Sequence, residues 1–459
     1  MTHLWRRSAR SRAQAGARAG ARRRALGMLS LATAGALVAA GCTPAPKQSA
    51  PPPSPTAEAS GTVDFWHPFT DREGEAMDAI IKDFQASHPK ITVNSKGGQD
   101  DEKMTQAIGA GTGPDVGVSF STDIVGKFCS SGAWIDLNPY IKRDNFDLNK
   151  FPAAVKEYTQ FQGKRCSMPV LADAYGMYYN KAMFAAAGLS EPPKTLQELA
   201  DDAKKLTKRK ADGTIEVAGF LPLWGFYENS PAHLAPAVNA TWLKSDGKSN
   251  IGSDPAWQDL VKWQKELVDW YGYDKLAKFQ SAIGDEFSPD NAFEKGQVAI
   301  NIDAEFRLAF IKADKPNLQF GVAPLPTKDG SRYGAGYITG NVTGVARTAK
   351  NPEAAWELVK YLTTNTGAIV KLANALKNVP TTTDALASSD LQVEPEFKTF
   401  IDIFKNPASS TTPPSSVGPG YQQKFQDFLT EYQTGKVKDL PAGLKGVDDQ
   451  INQLIQLGG

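Results

Sequence analysis

Five short elements alternate at the head of the folded body, and this alternation restricts the architecture more than any other feature. Residues 62–66 (TVDFW) read as a strand. Residues 75–87 read as a helix, with Met77, Ile80, Ile81 and Phe84 on one face. Residues 91–93 are a second strand, 104–110 a second helix and 115–118 a third strand. The order β-α-β-α-β predicts an α/β lobe around a largely parallel sheet. Ligands of such open sheets sit outside the carboxyl ends of the strands. That rule points to residues 66–70, 98–100 and 119–122.

A chain of 459 residues is too long for one small core and suggests two lobes. Four histidines occur, His3, His67, His88 and His233, and no two stand at metal-ligand spacing, so no metal site is expected. The net charge of +1 hides an asymmetry, because residues 1–41 hold eight arginines and no acid. Without them, 43 basic residues face 50 acids, a balance near −7. An acidic body lacks the basic footprint that nucleic acid requires. The helical pattern at 254–271 repeats Trp257, Leu260, Trp263, Leu267 and Trp270 every three or four residues, which predicts core packing over a ligand platform. Trp134, Trp356 and Tyr361 read as core in the same way.

The apolar run 28–40 (MLSLATAGALVAA) follows the arginine-rich start. Thirteen residues at about 1.5 Å each cannot cross a hydrocarbon core about 30 Å thick. The length suits the h-region of a signal peptide. The run ends in Ala39-Ala40-Gly41-Cys42, which resembles a bacterial lipobox, although alanine stands where leucine is commonest. That resemblance implies lipid on Cys42, removal of residues 1–41 and anchoring at the outer face of the cell membrane. Arg23-Arg24 weakly resembles a twin-arginine signal, so the export route stays open. Residues 42–60 are rich in proline, serine and alanine and read as a tether. In an exported protein the remaining pair, Cys129 and Cys166, is expected to form a disulfide.

From Gly113-Pro114-Asp115-Val116 onward a family pattern emerges. The ordered series VDFWHPFT, GTGPDV, SSGAWIDLNPYI, QGKRCSMPVLADAYGMYYNKAMFAAAGL, PPKTLQEL, AFEKGQVAINIDAEF, FGVAPLP and NPEAAWELVKYL resembles the extracellular solute-binding proteins of the maltose-binding type. The resemblance covers residues 61–459. It implies a two-lobed, periplasmic-binding-protein-like α/β fold with hinge-linked lobes and a central cleft. Lobe 1 would be 61–170 plus 338–378, and lobe 2 would be 173–333 plus 381–459. Crossings would lie near 171–174, 334–337 and 379–381, with Gly334 and Gly336 suited to a hinge. It further implies a monomer that hands a carbohydrate to ABC transporter permease subunits, with no cofactor and no catalysis.

A sugar presents hydroxyls at its rim and C–H faces above and below. Carboxylates accept strong hydrogen bonds from the former, and aromatic rings stack on the latter. The resemblance assigns Asp173, at the first crossing, to sugar hydroxyls. It makes Phe306 a stacking residue, with Asp303 and Glu305 as polar neighbours. Tyr421, in GPGYQQKF, falls near a second platform of the family, while Trp224 and Tyr227, in lobe 2 beside Gly225, are expected from their position alone to face the cleft. The strand-end rule adds His67, Phe69, Thr70, Gln99 and Asp100. Ser119, Ser121 and Thr122 match a ligand loop of the family, and Gly336, Tyr337 and Thr339 lie on a crossing. Two alternatives share some of these residues. The opening Phe65-Trp66-His67 also resembles glycerol-3-phosphate-type binding proteins, whose phosphate would need basic partners such as Arg307 or Arg332. A surface glycoside hydrolase would need a spaced carboxylate pair, and no Gly-x-Ser-x-Gly, P-loop or metal motif is present.

Overall fold

Hydrophobic spacing builds the first helix and its neighbours as the sequence suggests, but the caps move their ends. In the computed structural model, which describes residues 58–227 and 229–458, the first helix runs Asp71–Ser87 and buries Met77, Ile80, Ile81 and Phe84. It begins before residue 75 because Thr70 is extended and Asp71 and Glu73 sit in the first turn, where acids are favoured. The second helix, Asp101–Gly109, likewise starts early, since the Asp100 side chain accepts from Lys103 N. The leader, Cys42 and the tether as far as residue 57 lie outside the described residues.

Ten strands form among the described residues: β1 (Gly61–Trp66), β2 (Ile91–Lys96), β3 (Val116–Ser119), β4 (Met168–Asn180), β5 (Lys208–Arg209), β6 (Ile215–Phe220), β7 (Val298–Ala304), β8 (Phe320–Ala323), β9 (Ile338–Val345) and β10 (Val379–Pro380). Their order is β2-β1-β3-β9-β4-β7-β6-β5, with β8 and β10 also on β4. The pairs β1–β2 and β1–β3 are parallel, as the alternation predicts, and so is β6–β7.

Strand β4 belongs to both halves. Its first part pairs with β9 as far as Ala174, opposite Ile338. From Tyr175, opposite Ala304, it pairs with β7. Two cores flank this junction. One holds Phe65, Phe84, Trp134 and Trp356, and the other holds Phe220, Trp242, Trp257 and Phe425. The loop after β3 reaches the crossing through Thr122, which hydrogen-bonds Thr339, and the carboxyl end of β7 meets it where Ala304 faces Tyr175. Gly334 has φ +103°, and a Cβ on Gly336 would stand 2.7 Å from the Tyr175 carbonyl oxygen, so both positions need glycine.

Two details differ from the sequence reading. The helix Pro395–Lys405 buries Phe397, Phe400 and Phe404 in the first core, although the expected division gave everything after 381 to the second lobe. The chain passes over at Ser410, whose N–H donates to Gly336 O and whose carbonyl accepts from Ile338 N. In the helix Pro255–Tyr271, Trp257 is buried, but Trp270 is 42% exposed beneath the Arg209 guanidinium. Arginine's planar group covers that ring in place of core. The expected disulfide joins Cys129 to Cys166.

Candidate ligand cleft

The crossing carries a compact polar unit. Asp173, 8% exposed, and Glu305, fully buried, are joined by one side-chain amide. Asn378 Nδ2 donates to Asp173 Oδ1 and, at 3.2 Å, to Glu305 Oε1. Glu305 Oε2 accepts the Ala174 N–H at 2.8 Å. Asp303, also buried, takes Arg307 Nε at 2.5 Å, and Arg307 reaches Glu294 at 3.3 Å. Arg307 is thus committed within its own lobe. It follows Phe306, which is half-buried and lies 6.0 Å ring to ring from Phe287.

The other expected residues divide. Thr122 is buried and hydrogen-bonds Thr339 of β9, in the same half, at 2.9 Å. Tyr337 is buried, with its hydroxyl 3.1 Å from Thr412 Oγ1. Ser121 is half-buried, and its Oγ accepts Asp123 N. Gln99 bonds Gly97 O, Asp100 caps a helix, and Thr70 is exposed at the head of another. The Gly336 N–H is taken by Ser409 Oγ, so it offers no donor to a ligand. His67 is 1% exposed and bonds Ser95, between the rings of Phe65 and Phe69. Two aromatic platforms are corrected outright. Tyr421 is buried edge-on to Trp242 and donates to Pro413 O. Trp224 is buried in the second core, its backbone clasped by Gln433.

The structure also supplies residues the sequence reading did not select. Tyr175 stacks on His233 at 3.9 Å, and Tyr337 stands 5.5 Å from both. Asp123 accepts from Thr412 at 3.0 Å and Gln422 at 2.8 Å, which joins the first half to the second. Phe120, at the carboxyl end of β3, is 49% exposed and meets Phe69 edge-on. Phe287 is 51% exposed. Phe120 lies within the loop that the strand-end rule selects.

A sequence model of bacterial extracellular solute-binding proteins matches residues 70–369. The chain belongs to that family. Among its relatives is the maltotriose-binding protein of Pyrococcus abyssi, 25% identical over 405 residues, 86% of this chain and 83% of the relative. The solved structure of CpMnBP1 with mannotriose bound is 26% identical, with a TM-score of 0.75 over 85% of this chain and 99% of that one. The sn-glycerol-3-phosphate-binding periplasmic protein of Escherichia coli K12 is 30% identical over 167 residues, 34% of this chain and 37% of the relative.

The polar unit at the crossing of this solute-binding protein is acidic. Burial first, then the charges of Asp303 and Glu73, push the Asp173 carboxyl up to about 7, against the hydrogen bonds that lower it. Burial and Asp173 push Glu305 well above the usual range. Glu286 rises to about 8 through burial and Asp303, with Arg307 opposing. Groups so placed accept and donate to hydroxyls. Among the described residues no group of three or more His, Cys, Asp or Glu is arranged to hold a metal ion, and no helix is long and apolar enough to cross a membrane.

Proposed function

We propose that this protein captures a carbohydrate outside the cell membrane and delivers it, unchanged, to the permease of an ABC importer. The observation that carries this reading is the meeting of buried carboxyls with aromatic faces where the loop after β3 and the carboxyl end of β7 reach the crossing. Asp173 would accept sugar hydroxyls. Phe306, with Phe287 beside it, and Phe120 would offer faces to the ring carbons. The mannotriose-bound and maltotriose-binding relatives support a sugar or short oligosaccharide. Capture would proceed as a hinge motion of two lobes in a monomer, with ligand shifting the population toward the closed form.

The second reading, glycerol 3-phosphate or its diester, draws on the 30%-identical relative. The cleft opposes it, because carboxyls outnumber basic groups around Asp173 and Arg307 is already held. Thermal melts with mannotriose, maltotriose and glycerol 3-phosphate test both. A sugar at 100 times its Kd adds about 2.7 kcal/mol, and chromatography recovers it intact. Stabilisation by glycerol 3-phosphate alone, or cleavage of the sugar, overturns the reading.

The leader supports lipid anchoring at Cys42 on the outer face of the membrane. Mass spectrometry of protein extracted from its native membrane should find the acylated cysteine as the first residue. An unacylated mature chain rules the anchor out.

A further inference from the structure

The crossing holds one polar group that nothing above assigns to the ligand or to the core. Asn378 directly precedes β10 and is 6% exposed. Its amide nitrogen reaches Asp173 on β4 and Glu305 beyond β7. The three groups lie 205 and 73 residues apart in the chain, so only the fold joins them. Two carboxyls that accept from the same nitrogen are close enough to repel when both are ionised, and they titrate as a pair.

We propose that Asn378 is a positioning residue of the cleft: by donating to Asp173 and Glu305 at once, it fixes how the carboxyl pair is turned toward the ligand. This rests on the reading of Asp173 as a ligand group. Asp173 Oδ1 is engaged by the amide, and the Asp173 carboxyl also hydrogen-bonds that of Glu305, so the amide sets how the pair is turned. The same donation favours the ionised form of Asp173, which only accepts hydrogen bonds, over the protonated form, which donates one. Binding is therefore coupled to the protonation of the pair.

The groups that face this pair come from several elements. They are Glu73 on the first helix, Tyr158 on the helix Ala153–Tyr158, Tyr175 on β4, Asp303 on β7 and Tyr337 ahead of β9. These are acids and phenols, and the imidazole of His233 stacks on Tyr175 at 3.9 Å. Arg307 neutralises Asp303 and Glu294.

The test compares wild type, Asn378→Ala and Asn378→Asp. Calorimetric titration with mannotriose and maltotriose runs from pH 5.5 to 8.5, beside melts of the unliganded proteins over the same range. Asn378→Ala should lose about 10-fold in affinity, a typical loss for one hydrogen bond, and its pH profile should bend at a higher pH than wild type. Asn378→Asp should bind poorly at pH 8.5, where a third carboxylate adds repulsion. It should recover toward wild type at pH 5.5, where a protonated carboxyl donates as the amide does. A purely structural role would lower affinity and melting temperature equally at every pH, and that result overturns the inference. If wild type binds neither sugar, the carbohydrate reading falls, and the unliganded melts still decide this one: an unmoved pH bend in both variants overturns it. Should Asn378→Ala not fold, Asn378→Asp alone carries the same comparison.

Discussion

Asp173→Ala weakens sugar binding by about 10- to 150-fold, the equivalent of one hydrogen bond to a charged group worth about 1.5–3 kcal/mol. The same variant changes how unliganded stability depends on pH. In wild type the Asp173 carboxyl is pushed up to about 7 in the fold, mainly by burial. Its contribution to stability is full below the ordinary carboxylate value and is lost as pH rises through 7. His67 acts in the opposite sense. Burial holds its ring near 4, against the charge of Asp78, so its contribution is present above its ordinary value of 6.5 and is lost as pH falls toward 4. The two effects oppose below pH 6.5, and the carboxyl effect stands alone above it. Wild-type melting temperature should therefore decline from pH 6.5 to 8, and Asp173→Ala should remove the part of that decline that falls near pH 7, the larger remainder being due to Glu286 and Glu305. Calorimetry with mannotriose and melts across this range check both halves. Wild-type affinity in the variant removes Asp173 from the site.

Loss of the Cys129–Cys166 disulfide lowers stability by about 4 kcal/mol if the chain-entropy account holds. The bond joins residues 37 apart, in the helix Ile124–Ser130 and just ahead of β4. Both partners are buried in the first core. For a unit of this size unfolding together, that is about 5 °C in melting temperature, and more if the first half unfolds by itself. The bond does not touch the cleft residues named above, so affinity for the sugar should hold. Melts of the double variant Cys129→Ala/Cys166→Ala, beside titrations, separate the two properties. An unchanged melting temperature contradicts the stabilising role.

Local periodicity makes much of this fold legible. Met77, Ile80, Ile81 and Phe84 announce a helix, and the β-α-β-α-β order announces parallel strands. Cap residues are weaker signals, which is why Thr70 and Asp100 read as ligand groups when they head helices. Tyr421 shows how two local signals compete. The glycines and proline before it read as an exposed loop, yet its spacing to Phe425 and Leu429 is that of a buried helical face, and packing prevails. Asn378 and His233 had no local signal at all. Their partners, Asp173 and Tyr175, lie 205 and 58 positions away, and only the tertiary fold brings them together.

One strand sits in two ladders, and that has a mechanical result. Ala174 is the last residue of β4 to pair with β9, and Tyr175 is the first to pair with β7. A change in the angle between the half-sheets would be shared by this peptide and the other crossings, at 334–337, 379–381 and Ser410, as by the pins of one hinge. The N–H on one side of the β4 peptide donates to Glu305, and the N–H on the other donates to the Tyr337 carbonyl. Glu305 is thus tied by its hydrogen bond to the backbone at the point where β4 changes partners.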